Sequence, residues 1–157
     1  MTIREIMPTD YHLLEDFIYH AIHVLPGQDI PGREIIKQPD ISIYVKDFDA
    51  DARRGDCGII AELDGKPIGM AWTRIIDGYG HIDNGTPELA VSVLPQHRGK
   101  GYGAQMMQLL FEALRARGFT QTSLAVQKTN PAAQFYTRLG YEIIGKNAEE
   151  WIMLKRL

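Results

Sequence analysis

The amino-acid sequence predicts a single α/β domain, an α+β arrangement in which helices cover a mixed sheet. Three observations carry that expectation. Short strand-like runs come first and a strand–helix–strand unit follows, the pattern of a sheet with both antiparallel and parallel neighbours. Asp64-Gly65, set between two apolar runs, is a two-residue hairpin bend. A chain of 157 residues, 45% apolar and 24% charged, suits one core.

Each element follows from local pattern. Thr2 to Met7 alternates polar and apolar residues and reads as a first strand, which Pro8 stops. Thr9 or Asp10 then caps a helix whose Leu13, Leu14, Phe17, Ile18, Ala21 and Leu25 recur at helical spacing, with Pro26-Gly27 as its end. Arg33 to Lys37 reads as a short helix. Ile41 to Phe48 is apolar and ambiguous between helix and strand, and Ala50 to Gly55 is a charged loop. Cys57 to Leu63 and Pro67 to Thr73 form the hairpin. Asp77 to Gly85, with three glycines, is a loop with the composition of a mobile one.

Glu88 to Val93 is the fourth strand. Gly101 to Arg117 is a helix with Met107, Leu110, Phe111 and Leu114 on one face and Gly118 at its C-cap. Thr122 to Val126 is a strand. Asn130 caps a short helix to Leu139, with Pro131 at its first position and Gly140 after its end. Tyr141 to Gly145 and Trp151 to Leu154 complete the sheet.

Charge and cysteine content narrow the function. A formal charge of −3, with acids and bases interspersed, argues against a nucleic-acid partner. Cys57 is the sole cysteine, so no internal disulfide forms and a reduced, cytoplasmic setting is expected. The start, MTIREIMPTD, has no apolar signal core, and no run is long enough to span a membrane; a membrane partner is not expected. There is no internal repeat.

The chemically informative stretch is Arg98-Gly99-Lys100-Gly101-Tyr102-Gly103, between the fourth strand and a helix. Glycine takes positive φ and leaves no Cβ in a ligand's way. Successive amides can then point into one concavity, beside the positive end of a helix dipole and two formal cations. That combination suits a diphosphate. No Gly-Lys-Ser/Thr stands at Walker spacing, and the G-x-G-x-x-G dinucleotide pattern is absent.

With Val93-Leu94-Pro95 before it, this turn resembles the Arg/Gln-x-x-Gly-x-Gly/Ala acyl-CoA signature of the GNAT N-acetyltransferase superfamily, here Arg98, Gly101 and Gly103. A second signature of the family is matched by Asn130-Pro131-Ala132-Ala133, Phe135-Tyr136 and Leu139-Gly140-Tyr141. The element order also resembles the family's acyl-CoA N-acyltransferase fold over nearly the whole chain.

The resemblance implies a mostly antiparallel twisted sheet whose fourth and fifth strands splay around the pantetheine arm of acetyl-CoA, the co-substrate. The backbone of Val91 and Val93 would pair with that arm, and the Val91 N–H would polarise the thioester carbonyl. The amides of Arg98, Gly99, Lys100, Gly101, Tyr102 and Gly103 would hold the pyrophosphate, with Asn130 and Ala133 against the arm. Tyr136 would be the general acid at sulfur and Glu88 the general base, acting through a water, with His81 and Asp83 behind it as fallbacks. Tyr141 would pack.

The implied reaction is direct acetyl transfer to a primary amine, on a small molecule or a peptide. A non-catalytic acyl-CoA sensor and a transferase of another acyl group are the alternatives. Family members that dimerise leave a homodimer open. The family builds its acceptor pocket in the Pro26–Phe48 region, where Asp29, Arg33 and Tyr44 are available. No metal is expected, because His20-x-x-His23 lacks further ligands. Cys57, Met106-Met107, Trp72 and Trp151 read as core or interface residues.

Overall fold

A computed structural model describes all 157 residues. Seven strands form one sheet: β1 (Thr2–Glu5), β2 (Cys57–Leu63), β3 (Lys66–Arg74), β4 (Glu88–Val93), β5 (Gln121–Gln127), β6 (Glu142–Lys146) and β7 (Glu150–Arg156), in the order β1-β2-β3-β4-β5-β7-β6. Every pairing is antiparallel except β4 with β5, which is parallel and has a single register pair, Glu88 with Ser123. The helices are α1 (Leu14–Ala21), α2 (Pro39–Ser42), α3 (Tyr102–Ala116) and α4 (Ala132–Arg138).

Both faces of the sheet are covered. On one, α3 buries Met106, Met107, Leu110, Phe111 and Leu114 against Ile59, Ala61, Ala71, Leu124 and Met153. On the other, Leu14, Phe17 and Ile18 of α1 pack with Ile36, Tyr44 and Phe48 against Ile60, Met70 and Trp72. Neighbouring residues of β2 and β3 thus enter opposite cores, as the two-residue period of a strand requires. Burial on both sides explains why these strands read as continuous apolar runs.

Asp64 and Gly65 have φ of 52° and 75°, the positive pair that the hairpin bend needs. Several local expectations are corrected. Neither Thr9 nor Asp10 is an N-cap: a 3₁₀ turn over Pro8–Leu13 precedes α1, and Asp10 reaches back to accept the Met7 N–H at 2.7 Å. The first helix stops at Ala21 rather than running to Leu25, because Ile22 is already extended (φ −68°, ψ 122°) on the way to Pro26. Ile41 to Phe48 is no strand; it leaves α2 in hydrogen-bonded turns and is apolar because Tyr44 and Phe48 fill the core beneath α1. Asn130 is not the N-cap of α4: Pro131 holds that position and the helix begins at Ala132, whose N–H Asn130 Oδ1 accepts at 2.9 Å from one residue further out.

Candidate active site

The site begins where β4 and β5 part. Leu94 donates its N–H to Ile68 across the β3–β4 ladder. By the alternation of an antiparallel pair, the N–H and C=O groups of Val91 and Val93 therefore face away from β3, toward β5. Pairing with β5 ends at Glu88, so those groups open onto a gap. Arg98 spans its far end, donating from Nε to the Val93 carbonyl at 2.7 Å and from Nη2 to the His20 carbonyl at 3.3 Å.

Beyond Arg98 the chain turns into α3. Gly99 and Gly101 have φ of 76° and 84°, and a Cβ built on either would meet no atom within 4 Å. No backbone N–H from Gly99 to Ala104 donates to a carbonyl of the chain. These orphan donors, gathered at the N-terminus of a 15-residue helix, form an anion cradle.

Two cavities meet at the gap. The larger, about 870 Å³, is lined by Val91, Val93, Arg98, Gly99, Gly101, Tyr102, Gly103, Asn130 and Tyr136, together with the end of α1 and the segment to Pro31. Its charged lining residues are Arg98 and Arg138, with no carboxylate among them. The smaller, about 390 Å³, lies between α1, the Ile35–Tyr44 segment, Tyr79 and the diverging strands, and is lined by Asp40, Glu149 and Glu150 with no lysine or arginine. Val91, Asn130 and Tyr136 line both.

The expected residues divide accordingly. Lys100, Ala133 and Glu88 lie outside both linings. Lys100 is exposed on the turn, and Ala133 packs toward the α3 core. Gly103 faces the cleft, and a Cβ there would stand 3.3 Å from the Phe135 ring, so its small size also lets α4 approach α3.

Tyr136 is half-buried, its ring edge-on to Tyr141 with centroids 5.8 Å apart. Burial pushes its phenol up to about 12, so it stays protonated through the neutral range. Tyr141 is buried core, as expected. His81 lies with Nδ1 2.9 Å from the Ile76 carbonyl, and Asp83 accepts from Gly85 and Thr86; both shape their own loop. Arg33 pairs with Asp16. Cys57, in the core, has its thiol pushed up to about 11 by burial.

Glu88 is not a solvated strand end. It is 1% exposed and accepts three hydrogen bonds, from Tyr44 Oη (2.9 Å), Gly78 N–H (3.0 Å) and Gly80 N–H (3.1 Å). Desolvation raises its carboxyl above the ordinary value, and these three donors pull against that rise. The loop closes over it because it carries glycine: a Cβ at Gly78 would fall 2.7 Å from Glu88 Oε2, and one at Gly80 2.6 Å from the Leu124 backbone.

Sequence reasoning left Tyr44 unranked and missed Tyr79 and Asp40. Tyr79 donates its hydroxyl to Asp40 and stacks on Tyr44 with centroids 6.4 Å apart. No sequence motif marks these three, which converge only through tertiary packing.

The chain is similar to known acetyltransferases in sequence and in fold. Over 105 residues the chain is 37% identical to the L-methionine sulfoximine/L-methionine sulfone acetyltransferase of Pseudomonas paraeruginosa, covering 63% of this chain and 58% of that protein. Two solved structures share the fold. The PaiA N-acetyltransferase of Thermoplasma acidophilum, in complex with coenzyme A, superposes with a TM-score of 0.72 at 16% identity over all of both chains. A putative acetyltransferase from Salmonella typhimurium, solved with acetyl-CoA, gives 0.69 at 20% identity over all of this chain and 94% of that one. The family model of the acetyltransferase (GNAT) family matches residues 21–141, from the end of α1 through Tyr141. With residues of both signatures lining one cleft and most of its length matched, the chain belongs to the GNAT acetyltransferase family.

Proposed function

We propose that the protein transfers an acetyl group from acetyl-CoA to a primary amine of a small molecule or peptide, by direct attack while both substrates are bound. One observation carries this reading: two abutting cavities of opposite charge meet at Val91, Asn130 and Tyr136. The cationic, amide-rich side suits a pyrophosphate, and the side lined by carboxylates suits an ammonium. We read the acceptor as a cationic amine with an apolar stem.

In this scheme the orphan amides from Gly99 onward hold the pyrophosphate, with Arg98 and Lys100 adding charge. The gap-facing groups of Val91 and Val93 align the pantetheine arm beside Asn130, and the Val91 N–H polarises the thioester carbonyl. Tyr136 donates a hydrogen bond to the departing sulfur. Its raised phenol makes it a donor that shares its proton in the transition state rather than losing it in the resting enzyme. Glu88 takes up the acceptor's proton. The sole cysteine is buried in the core, outside both cavities, so no thiol of the chain serves as an acyl carrier. A lone reduced cysteine and a co-substrate such as acetyl-CoA support a cytoplasmic setting.

The test is release of free CoA from acetyl-CoA with butylamine, 1,4-diaminobutane, methionine amide and a short peptide as acceptors. Amine-dependent release with intersecting initial-rate lines is expected. Parallel lines would indicate a covalent route. Binding of acetyl-CoA with no amine-dependent release would leave an acyl-CoA-binding module, and faster turnover of succinyl-CoA would change the acyl group.

A further inference from the structure

Glu88 has no direct access to either cavity. Of its three hydrogen-bond partners, two are backbone amides of the loop that seals it. The third, Tyr44, is its one side-chain partner and lines the acceptor cavity. We propose that Tyr44 is the group that meets the acceptor's ammonium and that it relays the proton to Glu88 behind it. The inference rests on the amine acetyltransferase reading above.

The geometry suits a relay. Tyr44 Oη donates to Glu88 Oε2 at 2.9 Å and accepts the Tyr79 N–H at 3.0 Å. A phenol oxygen has a second lone pair, which remains to accept an N–H from the cavity. The ring is held in place: Trp72 Nε1 donates to the Tyr44 carbonyl at 2.9 Å, and Tyr79 stacks on its face. The loop closes on the pair because it carries glycine there, since a Cβ on Gly78 would lie 2.6 Å from Tyr44 Oη. Asp40, Glu149 and Glu150 line the same cavity and favour a charged ammonium, so the acceptor arrives with a proton to lose.

The step balances. An ammonium N–H breaks and its proton goes to Tyr44 Oη as the Tyr44 O–H breaks toward Glu88 Oε2. Neutral amine, neutral phenol and neutral carboxylic acid result. The amine nitrogen then bonds to the acetyl carbonyl carbon, the C–S bond breaks with its electron pair on sulfur, and the second amine proton ends on that sulfur. After product leaves, the relay runs in reverse: Glu88 Oε2 gives its proton back to Tyr44 Oη as the Tyr44 proton passes to solvent in the emptied cavity.

The test compares the faster-acetylated alkylamine of the panel with its 2,2-difluoro analogue (for butylamine, 2,2-difluorobutylamine), at a pH set above the analogue's lowered ammonium pKa and below the parent's, so that the analogue is mostly neutral and the parent mostly ammonium. Tyr44→Phe keeps the ring and removes the relay. It should lower kcat/KM for the basic amine on the order of 10²-fold and leave the fluorinated amine within about threefold of wild type. Glu88→Gln should show the same selectivity, and the double variant should be no worse than either single one. Because both amines are measured on the same preparation, a partly unfolded variant cannot mimic this selectivity. An equal fall for both amines, or no fall, overturns the relay and leaves Tyr44 a packing residue. Wild-type protein that binds acetyl-CoA and acetylates no amine of the panel overturns the acetyltransferase reading itself, and the relay with it.

Discussion

Gly101→Ala separates the anion cradle from the fold. Gly101 sits at φ 84°, ψ 3°, where an L-residue is disfavoured by about 1–2 kcal/mol. Loss of glycine's freedom in the unfolded chain returns about 0.4–1 kcal/mol. No atom lies within 4 Å of the new Cβ, so there is no packing penalty, and the net destabilisation is about 0.5–1 kcal/mol. For a chain of this size that lowers Tm by roughly 1–4 °C. Gly118→Ala is the matched control: its φ is 87° and its nearest atom, Arg54 Nη1, lies 3.6 Å away, an ordinary contact far from the cradle. The two variants should melt alike. In Gly101→Ala the methyl occupies the space beside the orphan amides. Losing one charge-assisted hydrogen bond there is worth about 1.5–3 kcal/mol, or roughly 10- to 150-fold in the Kd for acetyl-CoA. Titration calorimetry with acetyl-CoA, paired with thermal melts, measures both quantities. A Gly101→Ala Kd within twofold of wild type would refute the cradle. So would equal weakening in Gly118→Ala, which would trace the effect to general destabilisation.

Tyr136→Phe should reduce turnover on the order of 10²-fold while calorimetry finds acetyl-CoA affinity unchanged; undiminished turnover would remove Tyr136 from the sulfur. Asp10 accepts from Arg4 at 2.8 Å and from the Met7 N–H at 2.7 Å, and the Arg4 guanidinium lowers its carboxyl below the ordinary value. The folded state thus binds this proton more weakly than the unfolded state, so the contribution is complete above the ordinary carboxylate range and is lost as pH falls through the lowered folded value. With Arg4 partly exposed, Asp10→Asn should be less stable than wild type by about 1 kcal/mol in urea at neutral pH, the gap closing as pH falls below the ordinary carboxylate range; a gap unchanged with pH would mean the carboxylate's charge plays no part. Gly80→Ala would place a Cβ 2.6 Å from the Leu124 carbonyl carbon, and the overpacking should destabilise by about 1–3 kcal/mol, read as a lower urea midpoint than in Gly85→Ala, where the added Cβ meets only Asp83 Oδ1 at an ordinary 3.5 Å.

The glycine-rich half of the candidate site was legible because backbone chemistry writes it into composition. An anion cradle needs residues that tolerate positive φ, so Gly99 and Gly101 stand out in the residue order itself, and the Asp64-Gly65 bend stands out for the same reason. β4 spans Glu88–Val93 as the sequence predicts, and its neighbours on both faces account for its apolar content. The half around the smaller cavity depends on a different kind of information. Tyr44 comes from a run without period 2 or 3.6, since it leaves a four-residue helix in turns and is buried by α1, Trp72 and Tyr79 together. Glu88 shows the limit most sharply. At the start of a strand a glutamate reads as solvated, and only the closure of a glycine-bearing loop, 8 to 10 residues upstream, takes it out of water. Those glycines had the composition of a mobile loop. Gly78 and Gly80 are instead where backbone approaches a carboxylate, a phenol and a neighbouring strand too closely for any Cβ. A glycine that frees the chain and a glycine that admits a neighbour are indistinguishable in sequence, and in this chain the second kind is what seals Glu88 behind Tyr44.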